Sequence, residues 1–325
     1  MRPSIVSPVP SPCSEPSAAH KAALSRTNVD ETRSRLARPE LIRNRALAAE
    51  LDSALARRSY DALFALLRRL SGLPGPRANE PLARAFAAEV ARAGPDTDEL
   101  VRALCAVGPA HAPAGTDGEF LAMVGAACIG ARLAESPDAA LIEQLRALAD
   151  DPRHRIRESV ARALVEASRA HGDALALLLS AWTDGYLGAT VALEALTARV
   201  WLDRARSAQP ALDRLEEAFG LAEGAARADQ RSQGYRALVK VLAEAPARLL
   251  DRFPRETLVW LESKAGTPDV ALRAALSALL PTARSRGHGA PSLEKFEQVL
   301  AESAPPRRDP KTYVGPTRKR GSRRR

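Results

Sequence analysis

From residue 39 onward, aliphatic residues recur at every third or fourth position, with polar residues between them. This spacing places the apolar side chains on one side of an α-helix, and no segment shows the sustained alternation of a half-buried strand. The pattern therefore predicts an all-α chain in which fourteen helices form about seven antiparallel pairs. The predicted helices span 39–57, 59–71, 78–93, 96–107, 117–134, 138–149, 152–170, 173–183, 187–204, 208–222, 232–246, 255–263, 268–285 and 292–303.

Prolines mark three of the breaks between these helices. Ser136-Pro137, Asp151-Pro152 and Thr267-Pro268 each place a potential capping side chain directly before a proline. A hydroxyl or carboxylate at that position can accept from the free N–H groups of the first turn, and proline is tolerated at the first helical position. We therefore expect helices to begin beside these prolines, at residues 138, 152 and 268.

A nine-residue pattern occurs at 156–164 and again at 272–280, each time after a proline-containing turn. Aliphatic residues occupy the first, fifth and ninth positions, and an arginine occupies the second. The two copies begin 116 residues apart, about three periods of 39, and a weaker copy at 187–192 begins 31 residues after the first. Spacings of this size are typical of paired-helix repeats. The pattern predicts the inner helices of a right-handed α-solenoid that spans 37–304.

The segment 148–164 resembles a HEAT repeat, because an Asp/Pro turn is followed by an aliphatic–Arg pair and an Ala-rich second helix. The segment 260–280 is a poorer match to the same pattern. The resemblance implies that stacked second helices line a concave surface, the usual docking face for protein or nucleic acid. It implies no catalytic activity.

Two arginines, Arg157 and Arg273, occupy the same position in the two repeat copies. The helical period places Arg157 on the polar side of its helix, together with Glu158 and Arg162, which have the spacing of a favourable ion pair. One hypothesis is that Arg157 and Arg273 form a basic ladder along the concave face. The other is that each makes an inter-repeat salt bridge with an acidic residue in a neighbouring turn.

The net charge of +9 is concentrated at one end of the chain, because residues 31–304 contain 36 basic and 36 acidic side chains. We expect the Ser/Pro-rich segment 1–36 and the tail 305–325 to be disordered. Arginine and lysine blocks bind phosphate in a salt-dependent manner, so the tail could bind nucleic acid; alternatively it only aids solubility. Its basic residues are Arg307, Arg308, Lys311, Arg318, Lys319, Arg320, Arg323, Arg324 and Arg325.

The cysteines and histidines argue against a metal site or a disulfide framework. The three cysteines show no CxxC spacing, and the five histidines form no zinc motif. Cys105 and Cys128 lie in apolar stretches and are expected in the core. The longest nearly uncharged stretch, 120–131, is too short to span a bilayer. We therefore expect a cytoplasmic protein with neither cofactor nor membrane contact.

Catalytic motifs are also missing: the chain contains no P-loop, GxGxxG or GxSxG sequence. One aromatic–acidic cluster, formed by Trp182, Asp184, Trp201, Asp203 and Arg204, is similar in residue types to HEAT-like alkylpurine DNA glycosylases. The alternative is that both tryptophans belong to the core. The sequence favours a non-catalytic scaffold that binds a protein partner through its concave face, with nucleic-acid binding by the tail or a glycosylase as alternatives.

Overall fold

A computed structural model describes residues 45–303, with the side chains of residues 290 and 292 left aside. Helices account for 77% of these residues, which contain no strand, so the all-α prediction is confirmed. The segments 1–36 and 305–325, for which disorder is expected, lie outside the described residues. The chain divides into two compact units, one ending at Leu63 and the other beginning at Phe64.

The first unit contributes a helical stretch, α1, at 45–57, whose residues Leu47, Leu51 and Ala54 are buried at helical spacing. Short 3-10 turns at Gly94–Thr97, Leu179–Asp184 and Asp229–Arg231 interrupt the chain that follows. The remaining helices are α2 (Asp61–Leu70), α3 (Glu80–Ala93), α4 (Asp98–Cys105), α5 (Glu119–Glu135), α6 (Ala139–Ala149), α7 (His154–Leu178), α8 (Tyr186–Leu196), α9 (Arg199–Leu202), α10 (Gln209–Glu223), α11 (Gln233–Leu250), α12 (Pro254–Lys264), α13 (Val270–Ser285) and α14 (Ala290–Glu302).

One of the predicted helices is divided differently in the structure. The predicted break between 152–170 and 173–183 is present, because His171 inside α7 is non-helical (φ −133°, ψ 31°) and separates two helical stretches, the second of which ends in a 3-10 turn. The segment 187–204 is two helices, because Ala198 is extended with ψ 138°. Just before that break, the Thr197 hydroxyl donates to the Leu193 carbonyl over 2.7 Å, which closes the last turn of α8.

Six helices of the second unit pack one after another, in the order α3, α5, α7, α8, α11 and α13; we call this set the helix row. The other helices pack on members of the row: α4 on α5, α6 on α7, α10 on α8, and α12 on α11. The helices that carry the nine-residue pattern, α7 and α13, both belong to the row, as does α8 with the weaker copy. The recurring sequence pattern therefore marks helices with the same place in the packing.

The turns before α7 and α13 share one type of side-chain hydrogen bond, which differs from the predicted caps. Asp151 Oδ1 accepts from the Arg153 N–H over 2.8 Å, and Thr267 Oγ1 accepts from the Asp269 N–H over 3.3 Å. Each side chain therefore closes a turn around its proline. The helix starts two residues after the proline, at His154 or Val270. The expectation that Asp151 and Thr267 are N-caps is wrong, because their acceptor atoms are used within the turn.

The helix after Ser136-Pro137 starts at Ala139, one residue after the predicted start. Asp138 is its N-cap and accepts from the Ala140 N–H over 2.7 Å. The predicted cap, Ser136, instead follows the end of α5 in an extended conformation. At all three prolines the sequence located the break, but the capping residue lies beyond the proline.

A buried ion pair holds the turn before α7 to an earlier loop. Asp151 and Arg153 are 9% and 3% exposed, and the carboxylate accepts from Arg153 Nε over 2.9 Å and from Nη2 over 2.6 Å. The same guanidinium donates to the carbonyls of Ala112 and Val107 over 2.9 and 2.8 Å. A buried charge pair is tolerated when its remaining donors are satisfied, as they are in this turn.

Close contact between α5 and α7 depends on Gly130. A Cβ at this position would lie 2.7 Å from the Cβ of Ala163 and 2.9 Å from the Ala163 carbonyl oxygen. Glycine lets the two helix backbones approach at this crossing, where any side chain would overlap Ala163. Helices α3, α4, α6 and α7 all pack on α5, which is therefore buried on nearly every side.

Candidate functional site

Four arginines line an open cavity of about 360 Å³ between α3 and α7. Arg77 and Arg84 lie on the α3 side, and Arg155 and Arg162 lie on α7. Met123 of α5, which is 3% exposed, also lines the cavity. We call this cavity the arginine groove.

An ion pair connects the two sides of the arginine groove. Arg162 Nη1 lies 2.7 Å from Glu80 Oε1, so a side chain of α7 reaches the first residue of α3. Arg155 Nη1 lies 3.5 Å from the buried carboxylate of Glu119, which also accepts from the Gly115 N–H over 2.7 Å. Two of the four guanidiniums are therefore partly neutralised by the protein itself.

The other two arginines of the groove, Arg77 and Arg84, are exposed and have no ion-pair partner among residues 45–303. Glu80 and Glu158 are the acidic residues of the lining, so the groove has a formal charge of +2. Glu158 lies 3.5 Å from His154 Nδ1. The free positive charge is thus concentrated on the α3 side.

A second charged cluster is centred on Glu194 of α8, with which Glu158 of α7 and Glu244 of α11 each interact electrostatically. Burial raises the pKa of Glu194, and the two neighbouring carboxylates raise it further, whereas His154 and Arg248 lower it. Arg248 Nη2 also donates to Glu244 over 2.8 Å. The cations of the cluster thus already balance part of its negative charge.

The two repeat-position arginines donate to turn carbonyls. Arg157 is 4% exposed, and its Nη1 donates to the carbonyls of Asp151 and Pro152 over 2.7 and 2.9 Å. Arg273 is half-buried, and its Nη2 donates to the carbonyls of Thr267 and Ser303 over 2.8 and 2.7 Å. Both arginines therefore bind the carbonyl oxygen of the residue six positions earlier. Burial lowers the pKa of Arg157.

The expected position of Arg157 on a polar helix face is corrected by this geometry, because its guanidinium is buried beneath the preceding turn. The expected ion pair between Glu158 and Arg162 is replaced by two others, because Glu158 lies near His154 and Arg162 binds Glu80. The remaining predicted site residues, the nine basic side chains between 307 and 325, lie outside the described residues.

The aromatic–acidic cluster is distributed between core and surface. Trp182 and Trp201 are 0% and 3% exposed, so neither indole offers a face on which a base could stack. Asp184 binds Arg146, and Asp203 lies 3.7 Å from Arg199. Burial of the two tryptophans removes the aromatic surface that the glycosylase hypothesis requires.

Cys105 and Cys128 are free thiols, and Cys128 is fully buried. Burial raises the pKa of Cys105 to about 12. In the part of the chain that the structure describes, no group of three or more His, Cys, Asp or Glu side chains could hold a metal ion. Nor does any described helix have the length and apolar character needed to cross a bilayer.

Sequence reasoning missed the arginine groove, because its residues come from three separate helices. Arg155 and Arg162 are seven positions apart, which places them on one side of α7. This spacing was the one feature of the sequence that pointed to the groove. Their proximity to Arg84 follows from the packing of α3 and α7 on α5. Comparisons with protein-family models, curated proteins and solved structures find no match to this chain.

Proposed function

We propose that this chain is a non-catalytic interaction scaffold built from HEAT-like repeats. The helices of the row would be the inner helices of a right-handed solenoid, and the exposed residues of α3, α7, α11 and α13 would form the docking face for a protein partner. The observation that carries the proposal is one hydrogen bond that two turns share: Arg157 and Arg273 each bind the carbonyl six residues earlier. A recurring turn that precedes recurring helices is what a helical repeat requires.

The three buried charges around the turn before α7 support a structural role for these residues. Asp151, Arg153 and Arg157 bind one another or nearby carbonyls. Such groups fix turn geometry and leave no titratable side chain free for acid–base chemistry at those positions. A cytoplasmic location, expected from the sequence, belongs to the same proposal.

Site-specific photo-cross-linking tests the docking face. A photoreactive amino acid is placed in the full chain at Ala88 of α3 or Ala274 of α13, both exposed on helices of the row. Matched controls carry it at Ala147 of α6 or Val259 of α12, which are exposed on helices outside the row. We expect the two row positions to form adducts with one and the same protein in cells. That protein should then form a stable complex when purified and mixed with the chain.

Adducts confined to Ala147 or Val259 would contradict the proposal, because they would assign docking to the other helices. Different adducts at Ala88 and Ala274, without a stable purified complex, would equally argue against a common docking face.

A second candidate function is nucleic-acid association through the basic tail, which the charge distribution favours. Nine of the 48 basic residues fall within the last 21 positions, against one acid. Each neutralised phosphate contributes about −0.9 to the slope of log K against log salt. The test compares the full chain with a variant in which these nine residues are glutamine. We expect steep salt dependence in the parent protein and its loss in the variant, whereas unchanged binding would exclude the tail.

A further inference from the structure

The arginine groove has the features of a binding site for a negatively charged ligand. Arg77 and Arg84 are exposed without an ion-pair partner among the described residues, and the cavity carries a formal charge of +2. Guanidinium groups bind carboxylates through paired hydrogen bonds. The geometry therefore favours an anion that carries more than one negative group.

The lining favours an acidic peptide over a nucleic acid. None of the lining residues is aromatic, so bases would find no stacking surface. Glu80 and Glu158 interrupt the positive charge and would repel a continuous phosphate backbone. A peptide can instead place separate carboxylates opposite separate arginines and lay its apolar atoms against Met123. The chain's own tail is unsuitable, since it is rich in arginine and lysine.

We propose that the arginine groove binds an acidic segment of a partner protein, in which Asp or Glu side chains pair with Arg77 and Arg84. The inference rests on the proposed scaffold function and names the chemistry of its partner. The bridge between Glu80 and Arg162 competes with this ligand, because Glu80 already occupies one guanidinium. Removal of the Glu80 charge frees Arg162 for an incoming carboxylate.

The test measures binding of a fluorescein-labelled peptide of alternating glutamate and glycine by fluorescence anisotropy. The parent protein is the full chain with its nine tail Lys and Arg residues replaced by glutamine, so the tail cannot capture the probe. We expect Arg84→Gln and Arg77→Gln each to weaken binding by about two- to five-fold, as for a partly exposed ion pair. Arg255→Gln, an exposed arginine on α12, is the matched control and should leave affinity unchanged.

The decisive variant is Glu80→Gln, which we expect to tighten binding by about two- to five-fold because it raises the formal charge of the groove. Tighter binding is a gain that misfolding cannot produce. The proposal would be overturned if the peptide failed to bind the parent protein. It would also be overturned if the Glu80, Arg77 and Arg84 variants bound the peptide with the same affinity as the parent. Groove-dependent binding of single-stranded oligothymidine in preference to the peptide would overturn it in favour of nucleic acid.

The two proposals fail in different ways. A common partner at Ala88 and Ala274, combined with unchanged peptide affinity in the groove variants, would retain the scaffold and remove the groove. Groove-dependent peptide binding without any common cross-linked partner would retain the anion site and remove the scaffold.

Discussion

Replacing Gly130 with alanine tests how closely α5 and α7 pack. The added methyl group would lie 2.7, 2.8 and 2.9 Å from the Cβ, Cα and carbonyl oxygen of Ala163. Overpacking typically lowers the free energy of unfolding by about 1–3 kcal/mol. The higher helix propensity of alanine relative to glycine raises it by about 1 kcal/mol. Because two of the three contact atoms belong to the backbone and cannot rotate away, the cost falls at the upper end. We expect the free energy of unfolding to drop by about 2 kcal/mol in Gly130→Ala.

Gly220→Ala is the matched control, because it makes the same chemical change in the interior of α10. No atom lies within 4 Å of the Cβ that this substitution adds. Only the difference in helix propensity remains, so we expect the free energy of unfolding to rise by about 1 kcal/mol in Gly220→Ala. Urea unfolding, followed by far-UV circular dichroism and tryptophan fluorescence, measures both variants. If Gly130→Ala unfolds at the same urea concentration as the parent or at a higher one, the close approach of α5 and α7 is refuted.

Three further predictions concern buried ionisable groups. Arg157→Met leaves two turn carbonyls without their donor, so urea unfolding should show a loss of about 2 kcal/mol of unfolding free energy. The control Arg255→Met should change the unfolding free energy by less than about 0.5 kcal/mol. Burial raises the pKa of Glu194, so the folded state holds this proton more tightly than the unfolded state. The parent protein therefore loses stability as the pH rises from the unfolded pKa of Glu194 through its folded pKa. Across that window, urea titrations at several pH values should show a growing excess of unfolding free energy in Glu194→Gln over the parent. An excess that does not change with pH would contradict the prediction. Burial also raises the pKa of Cys105 to about 12 and that of Cys128 still further, so iodoacetamide near neutral pH should modify both thiols only after denaturation, as mass spectrometry would show.

Helix periodicity was the most informative part of the sequence. The apolar spacing in 117–134 and 208–222 predicted α5 and α10 to within a few residues, because tertiary packing selects the same face that the period defines. The boundary between α8 and α9 escaped prediction. Nothing in the apolar pattern marks the extended conformation of Ala198.

The role of Arg157 could not be inferred from the helical period alone. A helical wheel assigns a charged residue to solvent, and it takes no account of backbone carbonyls that a nearby turn leaves without donors. The carbonyls of Asp151 and Pro152 supply that environment once the chain reverses direction before α7. The groove residues Arg84 and Arg155 present the same difficulty, since only the packing of α3 and α7 on α5 brings them to one cavity.

The two braced turns also bear on how such a chain can diverge. Each arginine binds its own turn through a main-chain oxygen, which every amino acid supplies, and the side chain of the same residue closes the turn. That side chain is a carboxylate at Asp151 and a hydroxyl at Thr267, so an acceptor is required at this position but one particular amino acid is not. Two segments with different sequences at most positions can therefore form turns of the same geometry, provided that they keep the arginine, the six-residue spacing and a side-chain acceptor.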